Sequence, residues 1–331
     1  MGSTVGVRDI PFPDFFPYLF VVLLALHLYL IYTIYMDNEF QKYKLQLRQS
    51  LDLDTKILLT KRRIADAVSK YGESGMYISF SGGKDSTVLL HLVRSLYPSV
   101  PAVFADTGLE YPEIREFVSS LNNVTSLRPK MGFRDVLENY GIPVLSKEVS
   151  QKLHEIRTTN SDKLRNKRLY GDDKGNGAMP KKWRYMIEAP FKISHNCCNV
   201  MKKSPFKKYE KETGRVPFIG TMAQDSTMRK TSYYKTGCNS FETKRPVSMP
   251  IAFWMEADIW EYITRFELPY SEIYDKGYER TGCMFCMFGV HLDGQPNRFQ
   301  RMKQTHPKQW KYCMDVLGLR KVMWYLELPC E

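Results

Sequence analysis

Hydrophobic residues along this chain fall into short continuous blocks set between longer, spaced patterns. Met76-Tyr77-Ile78-Ser79-Phe80, Pro101-Ala102-Val103-Phe104, Val124–Leu127 and Val216-Pro217-Phe218-Ile219-Gly220 are blocks of the first kind. Runs of this length predict strands buried on both faces of a parallel sheet. Spaced patterns predict helices over 38–71, 86–97, 112–121, 133–140 and 254–266. In the first, Leu51, Leu53, Ile57, Leu58, Ile64 and Val68 can share a face, and Gly72 and Gly75 end it. Pro112 stands at a first-turn position, where its missing N–H is harmless.

Strand and helix alternate at a rhythm that implies an α/β fold, a doubly wound, mostly parallel sheet with helices on both faces. Ligands of such sheets bind at the carboxyl ends of the strands, where Ser81 and Asp106 fall. Residues 160–180, rich in Gly, Asp, Asn and Lys, predict an exposed loop within a basic insertion at about 155–185. The chain divides into a hydrophobic N-terminal segment (1–50), an α/β domain (51–250) and a C-terminal, cysteine-bearing helical and loop region (251–331).

Residues 15–36 carry no formal charge, and His27 is the one strongly polar side chain in their middle. About 20 such residues cross a bilayer core as a helix. The expectation is an N-terminal hydrophobic helix acting as a membrane anchor over 14–36. Lys42, Lys44 and Arg48 follow it, and only Arg8 precedes it, which places the rest of the chain in the cytoplasm. A cleaved signal peptide fits less well, because no small-residue cleavage site follows the long apolar run. A buried hairpin helix or a misassigned start are the other readings.

Composition then narrows the class. The 331 residues are 43% hydrophobic and 25% charged, without low-complexity tracts or repeats, so a folded core is expected. The net charge of +12 is localised: Lys147 to Arg245 holds 23 Lys and Arg against 10 Asp and Glu, and the rest of the chain nets −1. A basic stretch in a near-neutral protein fits a polyanionic partner, a nucleotide or a nucleic acid, or simply a solvated basic face. Seven cysteines, an odd number, argue against a secreted disulfide framework and for some thiols serving as metal ligands.

The chemistry concentrates in Ser81-Gly82-Gly83-Lys84-Asp85-Ser86, between the first predicted strand and its helix. Adjacent glycines let backbone N–H groups approach an anion, and the following helix adds the positive end of its dipole. Lys84 brings a cation, and Ser81 and Ser86 bring hydroxyl donors. The spacer of a Walker A loop is missing. This reading requires the loop amides to face outward, uncovered by other parts of the chain.

The hexapeptide resembles the PP-loop of ATP pyrophosphatases and of the phosphoadenosine phosphosulfate (PAPS) reductase family. Further resemblance runs in the family's order through Asp106-Thr107-Gly108-Leu109-Glu110-Tyr111-Pro112, Cys197-Cys198-Asn199-Val200-Met201-Lys202-Lys203-Ser204-Pro205, Gly220 through Ser226 to Arg229, and Pro269-Tyr270 through Gly277-Tyr278 to Cys286. It implies nucleotide binding by Ser81 to Ser86, Asp106, Thr107, Gly108, Lys202 and Lys203, with Lys84, Asp85 and Arg229 in catalysis and Mg²⁺ placed near Asp85.

Cys197-Cys198, 84 intervening residues, then Cys283-x-x-Cys286 resembles the cluster signature of iron–sulfur adenylylsulfate (APS) reductases. Four thiolates with one such pair suit a 4Fe–4S cluster or a tetrahedral zinc, and the resemblance favours the cluster. Cys238 is a substitute ligand, and Cys313 fits a core position. Family reductases carry a nucleophilic cysteine in a Glu-Cys-Gly-(Leu/Ile)-His tail; here Leu328-Pro329-Cys330-Glu331 offers only the Cys330 thiol. Met222 stands where the family usually has an arginine. The intact loop with Lys84 looks more like members that cleave ATP, among them ATP sulfurylase small subunits and iron–sulfur sulfurtransferases. The expectation is an enzyme binding ATP or an adenylylated sulfur compound and acting in sulfur transfer, with an unidentified electron or sulfur donor. The alternatives are a sulfonucleotide (PAPS or APS) reductase using Cys330, and a nucleotide- or nucleic-acid-binding module without turnover, reached through the basic 147–245 stretch.

Overall fold

The computed structural model describes residues 39–331. The expected hydrophobic helix and membrane anchor at 14–36 lie outside the described residues. Among the described residues no helix is long and apolar enough to cross a membrane.

The single helical pattern expected over 38–71 is two helices, α1 (39–49) and α2 (Leu53–Tyr71). Asp52 separates them because its carboxylate caps α2, accepting the Thr55 N–H at 2.9 Å. The chain then runs β1 (Met76–Phe80), α3 (Lys84–Arg94), β2 (Ala102–Ala105), α4 (Pro112–Ser119), β3 (Val124–Leu127) and α5 (Phe133–Asn139). Next come β4 (Val144–Leu145), α6 (Lys147–Thr158), α7 (Asp162–Tyr170), a 3-10 segment (Lys181–Glu188) and a π-turn (Asn199–Lys203) that leads into α8 (Ser204–Thr213). Beyond them lie β5 (Val216–Ile219), α9 (Thr227–Thr236), the short β6 (Asn239–Ser240) and β7 (Val247–Ser248), and α10 (Glu256–Arg265). The C-terminal part holds β8 (Met287–Phe288), α11 (Arg298–Thr305), α12 (Pro307–Lys311), a π segment (Tyr312–Val316) and α13 (Leu319–Tyr325).

The main sheet has the order β3-β2-β1-β5-β7-β6, parallel except for β6 against β7. Tyr77 and Phe80 differ in parity, so they face opposite sides of the sheet. Tyr77 packs on Phe206 and Tyr209 of α8, and Phe80 on Phe117 of α4. Both faces are therefore covered by helices, as the sequence implies. The chain leaves β1 toward β2 on one side and returns as β5 on the other, so the crevice between the ends of β1 and β5 is the topological switch point. The sequence blocks for the four long strands match the strands observed.

Two features were not legible in the pattern. The loop expected over 160–180 contains α7, none of whose side chains is buried. With little apolar surface to detect, this helix is held by its ends and by half-buried contacts: Ser161 caps it by accepting from Leu164 N–H at 3.3 Å, Asp162 sits in its first turn, Leu169 packs on the core and Arg168 pairs with Glu155. The second is a two-stranded sheet in which β4 pairs with β8, too short to leave a sequence signature, which ties the cysteine-bearing region to the α/β domain.

A buried ion pair fastens α2 to α10. Lys56 of α2 is 2% exposed, and its ammonium meets both carboxylate oxygens of Asp258 at 2.8 and 2.6 Å. Asp258 also accepts the Met255 N–H at 2.6 Å, capping α10. One carboxylate thus joins α2 to the start of α10.

Candidate active site

The Ser81–Ser86 loop stands at the carboxyl end of β1, beside the switch point, and Gly83 caps α3 without a side chain of its own. Its glycines have distinct reasons. Gly82 takes φ +73°, and a methyl there would stand 2.8 Å from Cγ2 of both Ile114 and Val118. The missing Cβ makes room for α4, not for a phosphate. At Gly83 a methyl would meet Thr281 Oγ1 at 2.7 Å and Tyr274 Oη at 3.3 Å. Gly220, at the end of β5, lies so close to α3 that its methyl would be 3.1 Å from the Asp85 carbonyl oxygen.

The serines brace the loop from within. Ser86 Oγ donates to the Gly83 carbonyl at 2.8 Å and accepts the Ser81 N–H at 3.2 Å, and Ser81 Oγ accepts the Gly83 N–H at 3.3 Å. The Lys84 N–H, one of the four unpaired donors of a helix start, is taken by Tyr274 Oη at 2.8 Å. Lys84 itself is 6% exposed; its ammonium donates to the Glu279 carbonyl at 3.1 Å and pairs with Glu256 at 3.0 Å. The expectation of outward, uncovered amides therefore needs correction: residues 274–281 lie across the loop.

Asp85 turns toward a charged group. Burial pushes its carboxyl up, Lys84 opposes this, and Asp225 and Glu256 add to it. Its Oδ1 is buried without a hydrogen-bond partner. Arg229, near the start of α9, pairs with Asp225. Met222 is core, 2% exposed.

At the end of β2, Asp106 pairs with Arg115 and Arg128 at 3.4 and 3.6 Å and accepts the Gly108 N–H at 3.3 Å. Thr107 donates its N–H and its hydroxyl to Glu110, which is buried and meets Lys202 at 3.5 Å. Glu110 was not among the sequence candidates, although it lies within the Asp106–Pro112 stretch that carries the resemblance. Burial works against the Lys202 charge, but Cys283 and Glu110 outweigh it and hold the ammonium above its ordinary range. Lys203 points elsewhere, and the neighbouring Lys147 ammonium is the main reason its own is held low.

The four expected ligand cysteines share one region. Burial, then the proximity of Cys198, Cys283 and Cys286, raises the Cys197 thiol, and burial pushes Cys283 up to about 11 against the pull of Lys202. The Leu109 carbonyl accepts the Met284 N–H at 2.8 Å, so the Asp106 loop is bonded directly to the Cys283–Cys286 turn. All seven cysteines are free thiols. Among the described residues, no three His, Cys, Asp or Glu side chains already stand in an arrangement that could hold a metal ion. The donor set still fits such a group in kind: four cysteines in one poorly solvated region are neutral thiols on their own, and a bound cation is what would let them ionise together. Cys238 is apart, its thiol surrounded by Arg48, Arg63 and Tyr233. Cys313 is core and donates to the Trp310 carbonyl at 3.2 Å. Cys330 is 2% exposed, its thiol raised by burial, and its carbonyl accepts from Trp310 Nε1 at 3.1 Å.

Much of the basic 147–245 stretch is used internally. Arg157 donates to the Phe191 and Ala189 carbonyls at 2.8 and 3.1 Å, Arg165 to Thr159 at 2.8 Å and Arg215 to Ser74 at 3.0 Å. Arg168 and Arg245 pair with Glu155 and Glu210.

The phosphoadenosine phosphosulfate reductase domain model matches residues 75–160 and 147–288. Two uncharacterized proteins of Methanocaldococcus jannaschii are 26% and 28% identical over 297 and 244 residues, which is 86% and 72% of this chain. The chain spans only 58% and 41% of their lengths. The adenosine 5'-phosphosulfate reductase of Staphylococcus epidermidis is 24% identical over 236 residues, 70% of this chain and 78% of that protein. The crystal structure of phosphoadenylyl-sulfate (PAPS) reductase from Candida auris, a phosphate complex, aligns with TM-score 0.41 and 17% identity over 71% of this chain and 96% of that one. The family model covers the sheet, the loop after β1 and all four clustered cysteines: this chain belongs to the phosphoadenosine phosphosulfate reductase domain family.

Proposed function

We propose that this protein is an adenine-nucleotide-dependent enzyme of sulfur metabolism that binds ATP or an adenylylated sulfur compound and takes part in sulfur transfer. The observation that carries the reading is the position of Lys84: a buried ammonium at the first turn of α3, at the switch point between β1 and β5. A helix start with a buried cation favours phosphate charge, and stabilising that charge is the main task in chemistry on phosphoryl groups. Asp85, whose Oδ1 makes no hydrogen bond and lies 3.9 Å from the Lys84 ammonium, would be the residue that meets Mg²⁺.

Cys197, Cys198, Cys283 and Cys286 would hold a 4Fe–4S cluster, with zinc as the other occupant that a four-thiolate set accepts. A 4Fe–4S cluster held there would supply one-electron redox chemistry, and zinc would supply none. Lys202, held between Glu110 and Cys283, would orient the sulfur-bearing end of the substrate. The decisive test is pyrophosphate release from ATP that disappears in Lys84→Ala. A colourless, anaerobically purified protein with stoichiometric zinc would exclude the iron–sulfur assignment.

The relatives named adenosine 5'-phosphosulfate reductase support a second reading, reduction of a sulfonucleotide through a thiol. The candidate thiol is Cys330, and Cys330→Ser decides: sulfite release from APS or PAPS that survives the substitution rejects it.

A further inference from the structure

Residues 274–282 cross the mouth of the loop after β1, and two of their oxygens accept hydrogen bonds from its donors while a third lies against Gly83. Tyr274 Oη accepts the Lys84 N–H at 2.8 Å, and the Glu279 carbonyl accepts the Lys84 ammonium at 3.1 Å. Thr281 Oγ1 lies 2.7 Å from where a Gly83 methyl would be. A backbone amide at a helix start and a buried ammonium are the donors to which phosphate oxygens bind. Here the protein meets them with a phenol and a peptide carbonyl.

We propose that residues 274–282 form a displaceable strap that fills the phosphate cradle with the protein's own oxygens, so that nucleotide phosphates bind in competition with it. The inference rests on the reading of the Ser81–Ser86 loop as a phosphate site. Two features suit the strap to exchange. Its bond to the Lys84 N–H joins two neutral groups, and a bond from that N–H to an ionised phosphate oxygen is roughly twice as strong; the ammonium keeps its pair with Glu256, which is not part of the strap. Its outer side is held independently of the cradle: Lys276 pairs with Glu113, Tyr278 Oη bonds Thr305 Oγ1 at 2.8 Å, and Arg301 donates to the Gly277 carbonyl at 2.9 Å. The stretch between Tyr274 and Glu279 can therefore shift at its inner edge while its outer edge stays moored. Gly277, at φ +81°, and Gly282, whose missing methyl would touch nothing within 4 Å, are the points where the backbone can turn.

The probe is inorganic pyrophosphate, which tests the cradle without any nucleoside contact, added to the full chain. Tyr274→Phe removes the competing hydroxyl and leaves the ring against Trp260, centroids 5.4 Å apart. With one neutral hydrogen bond to the strap removed, pyrophosphate binding should tighten about fivefold. In the unaltered protein, hydrogen exchange of peptides spanning 272–283 should speed up when pyrophosphate is added. Equal or weaker binding by Tyr274→Phe, or protection of 272–283 by pyrophosphate, overturns the strap while leaving the phosphate site standing. Absence of pyrophosphate binding to both proteins overturns the strap and the phosphate-site reading together.

Discussion

Gly82→Ala should destabilise the protein by the sum of two separable terms, and a second glycine in the same structure supplies the control. At φ +73° an alanine pays the left-handed backbone cost, about 1–2 kcal/mol. Its methyl would also stand 2.8 Å from Ile114 Cγ2 and from Val118 Cγ2, and overpacking of that kind costs about 1–3 kcal/mol. Together these give about 2–5 kcal/mol out of a total stability on the order of 5–15 kcal/mol. Gly108 has φ +74° and nothing within 4 Å of the same added methyl, so Gly108→Ala should pay only the backbone term. Urea unfolding of both variants, at unchanged m-value, measures the difference. A gap of about 1–3 kcal/mol is the cost of pushing α4 away from the loop. Equal losses in the two variants would refute the claim that Gly82 is there for helix packing.

Three further outcomes follow from other parts of the molecule. Lys56→Met leaves the Asp258 carboxylate buried without its cation and should cost about 3–5 kcal/mol in urea unfolding, whereas Arg134→Met, in an exposed pair with Glu138, should leave the urea midpoint unchanged. Burial works to raise the Glu113 carboxyl, but Lys276 and His306 outweigh it and hold it below its ordinary 4.5. Its contribution to stability is complete above that value and lost as pH falls through the lower folded one, so Glu113→Gln should flatten the acid side of a stability–pH curve and leave the neutral side parallel to the original. Metal content of anaerobically purified protein should fall in Cys286→Ser and stay unchanged in Cys238→Ser, because the Cys238 thiol faces Arg48, Arg63 and Tyr233 instead of the other cysteines; equal content in all three proteins would remove the ligand assignment.

The parallel sheet was legible because its central strands are buried on both faces, which forces continuous apolar blocks such as Met76 to Phe80. The loop was legible because its residues are adjacent in the chain. Elements held by their ends or by distant partners were not: α7 has no buried side chain, and β4 and β8 are two residues each and meet across more than 140 positions. The break between α1 and α2 turns on one capping side chain, Asp52, which an apolar pattern passes over.

The same distinction explains why a packing role for the loop glycines is invisible in the sequence. From sequence, Gly82 and Gly83 both look like concessions to an anion, since backbone approach is what adjacent glycines permit. In three dimensions each makes room for a different part of the chain, Gly82 for α4 and Gly83 for Thr281 and Tyr274. A methyl on Gly83 would press against the tyrosine that holds the Lys84 N–H. The lack of that methyl serves the strap and leaves the amide of the next residue for whichever acceptor binds it better. One position thus suits both the covered and the uncovered loop: a nucleotide would take the Lys84 N–H from a phenol, and would take the ammonium from a carbonyl and from its pair with Glu256.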